Sequence, residues 1–163
     1  MELKRGISFR KIFTFIYVIA FLGYLVGYFV PADGTAYTID GGLAIPSIDL
    51  VSGVTKLELK DRKLNTPDSI VGSYNRYDSK TFLVGHSTTI FKNLYQVKEN
   101  DTVIYNNVEY RITNMEIFRK SDIDMNELLA PEATDTLVIM TCAGEPMDDR
   151  DATHRLIVTA KKV

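Results

Sequence analysis

The chain has 163 residues, 45% hydrophobic and 25% charged, which suits one folded domain plus an appendage. A formal net charge of -2 gives no basis for nucleic-acid binding. The single cysteine excludes an internal disulfide and leaves a thiol to explain.

The charge is uneven. Residues 1–11 carry Lys4, Arg5, Arg10 and Lys11 against Glu2, a local +3, so the remainder carries -5. Ile12 to Val30 follows, nineteen residues without a charge. As a helix this run spans roughly 28 Å, enough for a bilayer core of about 30 Å. It has no polar face, so a buried globular helix fits it poorly. A cleavable signal peptide is the competing reading, but its apolar region is ordinarily about 7–15 residues. Val30-Pro31-Ala32-Asp33 is also a poor cleavage site. The sequence therefore predicts an uncleaved transmembrane anchor over 12–30 with residues 1–11 in the cytoplasm and the rest outside. Tyr17, Tyr24 and Tyr28 suit the interfaces, and Gly23 and Gly27 have a spacing that permits close packing of two anchors.

Residues 31–42 are small, polar and glycine-containing and read as a linker. From Leu43 to Val163 the pattern is β-rich. Leu43–Ile48 reads as a short strand whose Pro46 places it at an edge or a strand start. Val54–Leu59 alternates imperfectly, and Asp61–Ser69 has the polarity of a turn of helix. Thr81–Gly85 is an apolar run of buried-strand length. Phe91, Leu94 and Tyr95 have the spacing of one helical face. Thr102–Tyr105 and Val108–Ile112 flank Asn106-Asn107, a two-residue hairpin signal, and the second arm continues to Phe118. A short helix is predicted at Met125–Leu129, ended by Pro131, and final strands at Thr136–Thr141 and His154–Ala160. Seven or eight short strands with little helix imply an all-β, closed or nearly closed barrel.

Three residues stand at the edges of these strands: His86 after Thr81–Gly85, Cys142 after Leu137–Thr141, and Arg155 before Leu156–Ala160. A thiol attacks a carbonyl only as thiolate, and a neighbouring cation favours that form. His86 suits proton transfer to a departing amine. Arg155 cannot lose its charge and suits a developing oxyanion. Strand alternation puts Arg155 and His154 on opposite faces, so only one of them serves a given site. The twelve residues between Cys142 and Arg155 hold Glu145, Asp148, Asp149 and Asp151 and are long enough to wall a cleft. Each residue also has a plainer reading. A lone cysteine closing an apolar run is usually a small buried hydrophobe, and acidic clusters are usually solvated faces.

Four ordered segments shift that balance. Leu43-Ala44-Ile45-Pro46-Ser47-Ile48 comes first, then Leu83-Val84-Gly85-His86-Ser87 with Phe91-Lys92-Asn93-Leu94. Leu137-Val138-Ile139-Met140-Thr141-Cys142 and Thr153-His154-Arg155-Leu156-Ile157-Val158 complete the set. In this combination residues 43–162 resemble the sortases, membrane-anchored cysteine transpeptidases. The family's T-L-x-T-C pattern begins at Thr136-Leu137 and ends at Thr141-Cys142 with two extra residues between, and its Gly-Asp is Asn100-Asp101 here.

The resemblance implies an eight-stranded sortase barrel with Cys142 as nucleophile, His86 as general acid/base and Arg155 as oxyanion or substrate stabiliser. Thr141 would add a hydroxyl contact beside the intermediate. It implies cleavage of an LPxTG-like sorting signal of an exported protein through a thioacyl enzyme. The product passes to an amine of a cell-wall precursor or to a pilin lysine. No cofactor is implied, although some members bind Ca²⁺ through acidic loops, for which Asp122, Asp124 and Glu127 are the candidates. The short linker, the end at Val163 and the short stretch from Phe118 to Thr136 favour a compact, single-anchor, wall-attaching type over a pilin-polymerising one. A plain cysteine endopeptidase and a non-catalytic, anchored peptide-binding barrel are the alternatives.

Overall fold

The computed structural model describes residues 41–60, 63–144 and 152–163. The tail, the predicted anchor at 12–30, nearly all of the linker and the acidic loop at 145–151 lie outside the described residues.

Eight strands close into a barrel: β1 (Gly42–Ile45), β2 (Leu50–Lys56), β5 (Val71–Tyr77), β6 (Lys80–Val84), β9 (Thr136–Ala143), β10 (His154–Lys162), β8 (Val108–Arg119) and β7 (Thr102–Tyr105), in that spatial order. The strands β3 (Leu59–Lys60) and β4 (Lys63–Leu64) form a separate two-stranded ribbon. β2 with β5 and β6 with β9 are parallel pairs; the other neighbours run antiparallel. One short helix, α1 (Met125–Leu128), lies between β8 and β9.

The predicted hairpin forms, with Asn106 and Asn107 at φ 49° and 64°, the positive values a two-residue turn of this hand requires. Pro46 starts a tight turn directly after β1 rather than sitting inside it, since a missing N–H is tolerated there. Two helical expectations fail. Phe91 and Leu94 are buried, but Tyr95 is 65% exposed, and only a single 3-10 turn forms at Leu94–Gln96. Among the described residues of 61–69 there is a β4 edge and irregular chain, with no helical turn. β5 is the strand that polarity conceals: Gly72, Ser73, Asn75 and Arg76 give it no apolar alternation. Gly72 serves packing, because a Cβ there would run into the side chain of Leu57.

Alternation divides the apolar residues of β6, β9 and β10 between two clusters. Leu83, Leu137, Ile139, Leu156, Val158 and Ala160 fill the barrel interior. Phe82, Val84, Val138 and Ile157 form an outer floor, covered by Leu129 with Ile123 and Leu128 from the β8–β9 connection. The sheet is thus buried on both faces here, which explains why its strands read as near-continuous apolar runs.

That connection is fastened by charge. Lys80 Nζ lies 2.8 Å from Glu132 Oε1, with side-chain exposures of 7% and 32%. The hydrogen bond from Lys80 is the main reason Glu132 is held below its ordinary pKa of 4.5; burial opposes it, and the charge of Lys80 with the hydrogen bond and charge of Lys161 add to the lowering. A carboxyl whose folded pKa is depressed contributes stability above its unfolded pKa and loses it as pH falls through the folded value. Acidification below about 4.5 is therefore expected to lower the melting temperature of the wild type more steeply than that of Glu132→Gln. Parallel acid-melting slopes for the two proteins would refute this.

Candidate active site

β9 is the central strand of the site, and its register sets the geometry. Cys142 pairs directly with Arg155 of β10, so the two side chains project from the same face. On the other flank β6 runs parallel to β9 with Val84 opposite Met140. The hydrogen bond from Thr141 Oγ1 to Gly85 O, 2.8 Å, carries this alignment past the strand end and brings His86 level with Cys142. The outer floor residues Val84, Met140 and Ile157 lie two positions before His86 and Cys142 and two after Arg155. Parity therefore puts all three site residues on the outer face, at the end of the floor.

The two residues added to the family's pattern between Leu137 and Thr141 are an even insertion. They preserve which face each side chain takes, so Thr141 stays inside and Cys142 outside. Cys142 is half-buried, neither sealed nor fully exposed.

The arginine is held at the entry to its strand. Its Nη1 donates to Ala152 O at 3.0 Å and His154 O at 2.8 Å. Among the described residues its Nε and Nη2 make no further hydrogen bond, so they can serve an acceptor near Cys142. His86 is 27% exposed, and its Nε2 stands 3.3 Å from Thr66 O and 3.7 Å from Asp68 Oδ1. A carbonyl only accepts, so this contact is a hydrogen bond when Nε2 carries the proton. Thr89 Oγ1 donates to Asp68 O at 2.7 Å and ties the 66–68 loop to the chain that follows His86. Backbone N–H groups of Thr89 and Phe91 donate to His86 O at 3.3 and 3.0 Å, which turns the chain directly after His86.

His154 pairs with Ala143, one position from the Cys142–Arg155 row, and its Nδ1 stands 2.8 Å from Thr153 Oγ1. It does not share the site's face. Thr141 lies next to Cys142 on β9 and faces inward. Its hydroxyl is buried and donates to Gly85 O, which braces the end of β6 against β9.

The acidic residues proposed for Ca²⁺ have local employment. Asp124 caps α1, accepting from Asn126 N at 2.8 Å, and Asp122 Oδ1 accepts from Ser121 Oγ at 2.8 Å. Among the described residues no three His, Cys, Asp or Glu side chains converge as a metal site, so this donor set does not fit the ion. Sequence reasoning missed Gly85, Lys80 and Glu132. Nothing in a polar Ser79-Lys80 step or a lone Glu132 signals a buried pair, because the partners are 52 residues apart.

Gly85 offers a direct check on the bracing. A Cβ there would lie 2.5 Å from Ile90 Cγ2 and 2.8 Å from the ring of Phe91, which is 1% exposed. Gly85→Ala is expected to destabilise by about 1–3 kcal/mol, the usual cost of overpacking. It should also lower turnover, because the displaced side chains belong to the loop that carries His86. A variant with unchanged melting temperature and turnover would show that the loop yields freely.

Comparison with known proteins places this geometry in context. The family model described as the sortase domain matches residues 43–163. No curated protein gives a significant match. Among solved structures, the chain is similar to a lid mutant of sortase A from Corynebacterium diphtheriae, with 23% identity and a TM-score of 0.58 over 75% of this chain and 68% of that one. It is similar to Listeria monocytogenes sortase A, with 16% identity and a TM-score of 0.59 over 77% and 88% of the two chains. It is also similar to Group B Streptococcus Pilus Island 1 sortase C2, with 18% identity and a TM-score of 0.58 over 78% and 75%. At such identities these likenesses establish the shared barrel. With the domain match extending over every strand of that barrel from Leu43 onward, the chain belongs to the sortase family.

Proposed function

We propose that this protein is a cysteine transpeptidase that cleaves an LPxTG-like sorting signal of exported proteins and transfers the product to an amine of the cell wall. The single observation that carries the reading is the register of β9: it sets Cys142 opposite Arg155 and level with His86 on one face of the barrel. In the proposed reaction the Cys142 thiolate attacks the scissile carbonyl carbon, and Arg155 donates to the resulting oxyanion. As the C–N bond breaks, His86 gives its proton to the departing amine and a thioester remains on the sulfur. The acceptor amine then adds to the thioester carbonyl, its proton passes to His86, and the thiolate leaves. With Nε2 directed at Thr66 O, proton exchange falls to Nδ1.

The reading extends to the chain outside the described residues. The uncharged run at 12–30 anchors the protein in the membrane, with the basic tail in the cytoplasm and the barrel outside, where both substrates are found. A pilin lysine as acceptor is the second reading, favoured by the similar likeness of the barrel to a Pilus Island sortase. The short connection between β8 and β9 supports the wall-attaching type instead.

The test uses the full chain in detergent with an LPxTG peptide. Mass detection should find a thioacyl adduct on Cys142. Added amine should shift product from the free acid to the amide. Free acid alone, at any amine concentration, would identify a plain endopeptidase. Binding without an adduct would identify a non-catalytic barrel. Competition between a wall-type glycine amine and a lysine side-chain amine separates the two acceptors.

A further inference from the structure

The outer face of β6, β9 and β10 carries a second row of polar residues. Lys80, Thr136 and Lys161 pair directly across the three strands. Each lies six residues from His86, Cys142 and Arg155 respectively, His86 falling two residues past the end of β6. Six is even, so both rows are on the same face, roughly 20 Å apart at ~3.3 Å per residue. The apolar floor of Phe82, Val84, Val138, Met140 and Ile157 lies between them.

The β8–β9 connection runs lengthwise over this floor and is tied at both ends. At the Arg155 end, Lys120 N donates to Thr153 O at 2.8 Å. At the other end Lys80 Nζ bonds Glu132 Oε1 at 2.8 Å and donates to Leu128 O at 3.2 Å. Glu132 Oε2 lies 3.4 Å from Lys161 Nζ and accepts from Thr136 Oγ1 at 3.3 Å. A third tie, from Arg76 Nη1 to Asn126 Oδ1 at 2.9 Å, holds α1 toward β5.

The barrel does not need the Lys80–Glu132 pair for closure, since the β6–β9 ladder runs through the same residues by backbone bonds. What the ammonium does is hold both a carbonyl at the end of α1 and the carboxylate four residues later. These two contacts set the height of Leu128 and Leu129 above the floor. Leu129 is 8% exposed and Phe82 beneath the cover 1%, so the connection seals the floor, and of the floor residues only Met140, two positions before Cys142, is partly exposed. We infer that Lys80 and Glu132 are positioning residues, a clamp that keeps the β8–β9 connection seated on the floor and so fixes the edge of the surface beside Cys142 against which the bound peptide lies. This deepens the transpeptidase reading and rests on it for its kinetic test.

The full chain in detergent is assayed as wild type, Glu132→Gln and Glu132→Asp. For the LPxTG peptide, Glu132→Gln should raise KM about tenfold with kcat within twofold, and Glu132→Asp, which keeps the carboxylate, should recover most of the loss. The alkylation rate of Cys142 by iodoacetamide should be the same in all three. A lower melting temperature with KM unchanged would reduce the pair to a structural tie and overturn the inference. Hydrogen exchange decides the point without catalysis. The amides of Leu128, Leu129 and Ala130, bonded within and just after α1, should exchange about tenfold faster in Glu132→Gln while those of β9 do not change. Equal protection in both proteins would also overturn it. A wild type that forms no thioacyl adduct would end the transpeptidase reading alone, and the exchange result would still judge the clamp.

Discussion

Cys142→Ala is expected to lower thioacyl formation and amide product by about 10⁴–10⁶-fold, the scale on which removal of a covalent nucleophile acts. Peptide binding should survive, because the proposed reading gives Cys142 the bond-making step and leaves recognition of the peptide to other side chains. The fold should survive as well. The side chain is half-buried on the outer face and is not part of either apolar cluster, so the truncation opens no core cavity. The measurements are mass detection of the adduct, product analysis with amine present, and peptide affinity by anisotropy. Turnover in Cys142→Ala equal to that of the wild type would remove the sulfur from the mechanism. Loss of affinity together with turnover would show that the substitution damaged peptide recognition rather than the chemistry.

Arg155→Ala is expected to cost about 10²–10³ in kcat, as the loss of one oxyanion donor does elsewhere. The pairing across β9 and β10 sets Arg155 beside Cys142 on one face, the arrangement the proposed oxyanion role requires. Its Nη1 bonds to Ala152 O and His154 O fix the plane of the group before substrate arrives, which limits the reorganisation needed at the oxyanion. Arg155→Lys should recover only a small part, because an ammonium cannot hold two backbone carbonyls and still present a planar pair of donors. Since those same bonds secure the start of β10, the melting temperature should be recorded with the kinetics. A fall in stability with kcat preserved would make Arg155 a structural residue of the strand entry.

The candidate site was legible in the sequence to the extent that strand ends are legible. His86, Cys142 and Arg155 could be picked out because each closes or opens a short apolar run, and because few other pairings exist in a chain with one cysteine and two histidines. Alternation then separated His154 from Arg155, and the ladder agrees, with His154 opposite Ala143 and Arg155 opposite Cys142. The hairpin was equally plain, since Asn-Asn between two β-branched runs meets a steric requirement that is local. β5 was not legible. Its stability comes from neighbours on both sides and from Leu57 lying over Gly72, none of which leaves an apolar period in its own residues.

Sequence by itself determined the all-β class, the residues able to carry thiol chemistry and the uncharged run ahead of the domain. These follow from composition, alternation and local turn geometry, which act over a few residues. Only the tertiary structure decided which face the site occupies, that Thr141 braces Gly85 from inside, and that Lys80 reaches Glu132 across 52 positions of chain. Such choices are made by the register between strands far apart in sequence. Register is set by the sum of many packing contacts and leaves no mark on any one segment.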